Sequence, residues 1–132
     1  YCTANPNPTG NTGAITFSGS QSVFRNTAIL RAQSLPPGSF GLFFFGSQQT
    51  QQPVSGSPAI LCVTGSTHRL PVVVTDSIFG SAYFPLDFTD PNTSAQVITG
   101  GTTWNFQFWH RDAVGGAATS NMTNGVSVQF GV

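Results

Sequence analysis

Fifteen glycines and nine prolines are scattered along this chain, and no stretch of about a dozen residues free of them carries a helical apolar period. Glycine costs a helix backbone entropy, and proline removes an amide donor and clashes with the preceding turn. Between these breaks lie short runs rich in β-branched and aromatic residues, so the chain is expected to be all-β with almost no helix. Strands are expected near Ala14–Ser18, Thr27–Ser34, Phe40–Gly46, Ala59–Thr64, Arg69–Thr75, Ala82–Phe88, Thr103–Arg111 and Gly125–Val132. Eight strands at this spacing suit a two-sheet antiparallel β-sandwich, Ig-like or jelly-roll-like. At 132 residues and 13.9 kDa the chain has the size of one domain, residues 1–132, large enough to bury a core.

The seventh run alternates: Trp104, Phe106, Phe108 and His110 project to one face, and Asn105, Gln107, Trp109 and Arg111 to the other. Val126, Val128 and Phe130 repeat the pattern near the end of the chain. The third run is apolar on both faces, Leu42 and Phe44 against Phe43 and Phe45, which places it in mid-sheet or with one face covered by another molecule. Leu35-Pro36-Pro37-Gly38 reads as a rigid turn and Gln48–Gln52, ended by Pro53, as a polar loop. Tyr1–Gly13, rich in Asn, Pro, Thr and Gly, is expected to be an irregular N-terminal segment tethered by Cys2.

Charge is nearly absent: four Arg and four Asp, with no Lys or Glu, make 6% of the chain. Four arginines cannot form a phosphate-binding surface, which argues against nucleic acid and against anionic membranes as partners. No apolar run is long enough to span a bilayer, so membrane insertion is not expected. Lack of lysine excludes P-loop and Schiff-base chemistry. Solubility must instead come from 47 Ser, Thr, Asn and Gln residues. A neutral exterior of this kind removes the long-range repulsion that keeps copies apart and makes self-association inexpensive.

The two cysteines, Cys2 and Cys62, are expected to form a disulfide, since an even minimal pair in a β-rich, lysine-free chain points to an oxidising compartment. Closing a loop of that length stabilises by about 4 kcal/mol on chain entropy. A metal centre would need more ligands than two Cys and two His at unrelated spacings provide, so neither a metal nor a cofactor is expected. The chain is expected to be secreted, its signal peptide removed, and to work outside the cell or at its surface.

Several long motifs point the same way. Tyr1-Cys2-Thr3-Ala4-Asn5-Pro6-Asn7, Leu35-Pro36-Pro37-Gly38 followed by Phe40-Gly41-Leu42-Phe43-Phe44, Leu61-Cys62, Trp104 through Asp112, and Ser120 through Val126 together resemble a β-rich domain of secreted bacterial proteins. The similarity runs end to end and implies a β-rich fold and export. That domain has no assigned activity, so the resemblance implies no catalytic residues. In those proteins it often sits at the C-terminus, whereas this chain is expected to be the domain alone; were it a complete mature protein, its role would be other than anchoring a neighbouring module.

Catalytic constellations are weak. The acids are Asp76, Asp87, Asp90 and Asp112, and the one close pair, Asp87 and Asp90, reads as turn formers or a weak calcium site. His68 or His110 can be combined with Asp and Ser into a triad on paper, but no Gly-x-Ser-x-Gly elbow is present. No enzyme is expected. Trp109, His110, Arg111 and Asp112 form the most distinctive cluster: either Trp109 stacks on a sugar ring beside Arg111, or Trp109 covers a sheet edge and Arg111 pairs with Asp112. Asn92-Thr93-Ser94 and Asn121-Met122-Thr123 match the N-glycosylation sequon, at a frequency close to chance for this composition.

Two functions are therefore expected in order. The first is a secreted structural protein that assembles with other copies of itself into an extracellular filament, sheath or surface layer, a homopolymer. Its expected assembly surface comprises Phe43 and Phe45 on the doubly apolar strand and Val128 and Phe130 on the last one, with the N-terminal segment free to reach a neighbour. The second is a monomeric module binding polysaccharide or a cell surface through Trp109 and its neighbours.

Overall fold

A computed structural model describes residues 1–114 and 117–132. Among the described residues nine strands are formed: β1 (Ala14–Ser18), β2 (Ile29–Gln33), β3 (Phe40–Pro53), β4 (Ile60–Arg69), β5 (Val73–Val74), β6 (Ala82–Pro85), β7 (Thr103–Val114), β8 (Ala117–Met122) and β9 (Val126–Gln129). A single turn of 3₁₀ helix, Ser94–Val97, is capped by the Thr93 hydroxyl, which accepts from the Ala95 amide. The strands make two antiparallel sheets, as the punctuation of the sequence implies.

The smaller sheet has the order β1-β2-β6, and its residues alternate strictly. Ile15, Leu30, Ala32 and Ala82 point inward and are buried, while Thr16, Arg31 and Tyr83 line up on the solvent face. The larger sheet has the order β4-β3-β7-β8, with β5 pairing β3 beside β4 and β9 pairing β7 beside β8. Its inner face supplies the aromatic half of the core. Phe43 packs on Phe108 with ring centroids 4.6 Å apart, Phe45 on Phe106 at 5.3 Å, and Phe130 receives the edges of Phe17 and Phe88 at 6.0 and 5.5 Å.

This packing corrects the expected assembly surface. Phe43 and Phe45 are fully buried, and Val128 and Phe130 expose 3% and 1%. All four belong to the internal core with Leu30, Leu35, Leu86 and Ile98, because the smaller sheet and its connections already cover the face they share. The third run does lie in mid-sheet, between β4 and β7.

Three strand expectations change as well. β3 continues through Gln48–Gln52, expected as a loop, since those residues pair with β4 while their side chains face solvent, where glutamine suits both demands. β8, with the sequence Ala-Ala-Thr-Ser-Asn-Met, carries no apolar alternation that would have marked it. The run expected at Arg69–Thr75 is split: Arg69 ends β4, Pro71 interrupts, and only Val73 and Val74 pair with Phe40 and Gly41.

The N-terminal segment is irregular, as expected, and it is held down. Cys2 and Cys62 form a disulfide with Cα atoms 6.0 Å apart. The Tyr1 backbone nitrogen donates to the Gly125 carbonyl at 2.7 Å, and Gly125 N–H returns a bond to Tyr1 at 2.8 Å. Asn121 donates to the carbonyls of Asn5 and Pro6, and Asn7 to that of Ser34. An arm free to reach a neighbouring molecule is therefore not what Tyr1–Gly13 provides.

Candidate functional site

The β3–β4 hairpin is longer than the sheet to which it belongs. Up to Gly46, β3 lies between β4 and β7; beyond it two register shifts, at Gly46/Gln48 and Gln49/Gln52, bend the pair. Gly65, with φ +83°, sits at the first shift, where a Cβ would meet the Ser47 side chain at 2.3 Å. The bent half then folds back across the outer face of the larger sheet, reaching strands two and three places away. Cys62 N–H donates to Gln107 Oε1 on β7 at 2.9 Å, and Ser57 Oγ donates to the Ser120 carbonyl on β8 at 2.6 Å.

Gln107 is the centre of this overlay. Alternation puts its amide on the outer face, where the arm buries it completely. Its Nε2 donates to the carbonyls of Ile60 at 2.8 Å and Thr123 at 2.7 Å, so both ends of the amide are satisfied. The Tyr1 hydroxyl donates to the Cys62 carbonyl at 2.7 Å, and partial burial pushes its pKa up to about 12. Disulfide, tyrosine and amide thus fasten one short stretch of β4 to the sheet below.

At the bend where the arm leaves the sheet, a cleft of about 580 Å³ opens between the two. Its floor is Leu42 and Phe44 of β3 with Trp109 of β7 and Met122 of β8, and its wall is Leu61 and Val63 of the arm. Cross-strand register places Arg69 opposite Phe44, and Met122 and Leu42 on either side of Trp109. Arg111, on the same face, lies over the Trp109 ring with its guanidinium carbon 5.3 Å from the centroid. Of the chain's four arginines, Arg69 thus lines the cleft and Arg111 lies over the Trp109 ring that helps to floor it. The acids outside the core, Asp76, Asp87 and Asp90, lie in loops.

The apolar face does not stop at the cleft. Phe40, two residues before Leu42 and on the same side, is 59% exposed, and its register partner Val74 is 54% exposed. The following turn carries Ile78 and Phe79, exposed by 74% and 80%. That turn is stiff. Asp76 accepts from the amides of Ile78, Phe79 and Ser81 and from the Ser81 hydroxyl, and these bonds hold its carboxyl well below the usual carboxylate range, so it stays ionised. Gly80, at φ +64°, completes the turn against the Leu35 carbonyl.

Of the cluster expected to bind a ligand, only Trp109 and Arg111 face outward. His110 and Asp112 are on the core side, exposing 1% and 5%. They pair with each other, His110 Nδ1 lying 2.9 Å from Asp112 Oδ1, so Asp112 does not serve Arg111. Burial is the main influence on both: it lowers the His110 pKa and raises that of Asp112, more than their mutual attraction offsets. Asn92 is exposed, whereas Asn121 is fully buried and bonded to the N-terminal segment, which leaves no room for a glycan there. Asp87 and Asp90 cap turns: Asp87 accepts from Asn26 and Thr89, and Asp90 from the Asn92 amide.

Fold and site together define an all-β, disulfide-bonded sandwich of two antiparallel sheets with an apolar cleft on the outer face of the larger one. Compared with known protein families, curated protein sequences and solved structures, the chain has no match.

Proposed function

We propose that this protein is a secreted structural protein that associates with copies of itself into an extracellular polymer. One observation carries the reading: an exterior with formal net charge zero displays large apolar side chains, Phe40, Val74, Ile78, Phe79 and Phe24, the last 88% exposed. Nothing electrostatic keeps two such surfaces apart, and burying them removes apolar area from water at roughly 25 cal/mol per Å². Scattered exposed apolar residues are ordinary, but here Phe40 and Val74 are register partners on the face that continues into the Trp109 cleft. The disulfide fits export to an oxidising space.

Sedimentation velocity of the oxidised protein from micromolar to millimolar concentration, with negative-stain imaging of the concentrated sample, tests the reading. Concentration-dependent ordered polymers are expected. A monomer that persists at millimolar concentration across salt and pH would end the proposal and return attention to a surface-binding module built on Trp109.

A further inference from the structure

Polymer formation through this surface needs two complementary parts on one molecule, and the structure holds a candidate for each. The receiving part is the cleft floored by Leu42, Phe44, Trp109 and Met122 and lined by Arg69, with Arg111 over the Trp109 ring. Among the described residues the one acid within ion-pair distance of a basic side chain is Asp112, beside His110 inside the core, so Arg69 and Arg111 lack an acidic partner within their own molecule. What fits there is apolar at its tip and carries negative charge close behind.

The chain displays two apolar-tipped turns. One presents Phe24, but its neighbour is Arg25, which would bring a third cation to two unpaired ones. The other presents Ile78 and Phe79 above the ionised Asp76. Its shape is fixed by four hydrogen bonds to the Asp76 carboxylate, so little ordering entropy is lost when it docks. It is also open to solvent, hence not occupying the cleft of its own molecule.

Resting on the polymer reading, we propose that the Asp76–Gly80 turn of one copy seats Phe79 in the Trp109 cleft of a second copy, with Arg69 and Arg111 facing Asp76. Turn and cleft are different parts of one molecule, so a one-way contact between them is heterologous: each bound copy offers a further turn and a further cleft, and association continues until geometry closes it. This differs from a symmetric patch, which would stop at a dimer.

The test uses two surface variants of the full oxidised chain, each checked for native circular dichroism. Phe79→Ser removes the turn's tip, and Leu42→Arg blocks the cleft. Each alone is expected to raise the critical concentration for polymerisation about tenfold or more, as loss of one buried aromatic anchor does. An equimolar mixture retains one intact turn and one intact cleft and is expected to yield a heterodimer that grows no further. Phe24→Ser is expected to polymerise as the unmodified chain does. If the unmodified chain polymerises and Phe79→Ser polymerises equally well, or if Phe24→Ser alone abolishes assembly, the docking mode is refuted while the polymer stands. If the unmodified chain never polymerises, it is the polymer reading that fails.

Discussion

Replacing Gln107 with leucine tests whether a single buried amide holds the hairpin arm to the sheet. Leucine nearly matches glutamine in volume but leaves three backbone groups without partners: the Cys62 N–H and the carbonyls of Ile60 and Thr123. A buried polar group deprived of its partner costs about 1–3 kcal/mol, and leucine recovers part of that through its own burial, so a net loss of about 3 kcal/mol is expected. With unfolding entropy of about 2.1 cal/mol/K per residue, that loss lowers the melting temperature of a chain of 132 residues by about 11 °C. Thermal unfolding followed by circular dichroism, with the disulfide intact in both proteins, reads it directly. Gln107→Glu sharpens the test. It keeps the acceptor for Cys62 but aims a carboxylate at two carbonyl oxygens, which raises the glutamate pKa in the fold above its unfolded value near 4.3. Stability should therefore be greatest below about pH 4 and fall as pH rises, because the native state holds the proton longer. A leucine variant melting within about 2 °C of the unmodified protein would show that the arm is held by something else.

Other consequences are separately measurable. His110→Gln leaves Asp112 as the titrating member of the core pair; with its folded pKa raised, stability should be retained below about pH 4 and decline as pH rises. Asp112→Asn leaves His110, whose folded pKa is lowered, so stability should hold above about pH 6.5 and decline as pH falls; urea titrations giving the two variants slopes of the same sign would contradict one of these assignments. Removing both Cys2 and Cys62 by serine substitution should cost about 4 kcal/mol through the loop they close, read as a fall in the urea midpoint. Gly80→Ala, whose Cβ would lie 1.8 Å from the Leu35 carbonyl, should destabilise far more than Gly38→Ala, which has a similar positive φ but nothing within 4 Å and should cost about 1 kcal/mol. Assembly driven by apolar contact should strengthen in sodium sulfate; a polymer that dissolves when sulfate is added would refute that driving force.

The strands that alternate between one buried and one open face were legible in the sequence. Thr103–Arg111 has its inner and outer residues where the pattern of two assigns them, and the Cys2–Cys62 bond followed from composition alone. Alternation also placed His110 beside Phe106 and Phe108 on the inner face, and following it would have removed His110 from the ligand-binding set. Asp112 obeys the same rule two residues on. Gln107 escaped notice because a polar residue in an alternating strand ordinarily meets water, and only the folded-back arm turns it into a buried anchor. The bend that brings the arm there depends on strand pairing across Gly46 and Gly65, which no local pattern in a Gln- and Thr-rich stretch reveals.

The doubly apolar strand shows why self-covering and partner-covering are hard to separate by sequence. Phe43 and Phe45 on one side and Leu42 and Phe44 on the other look alike in the string, yet their environments differ in kind. The inner pair is sealed by the smaller sheet, so it can contribute nothing to association. The outer pair is sealed only in part: the arm crosses Gln107 toward β8, and the cleft beside its bend leaves Phe44 at 9% exposure and Leu42 half-buried. A face that the chain covers incompletely with its own hairpin is left with apolar area still in water, and the proposed association between copies would draw on that remainder. The surplus of aromatic residues in the third strand thus serves two ends, an internal core on one side and an unfinished one on the other.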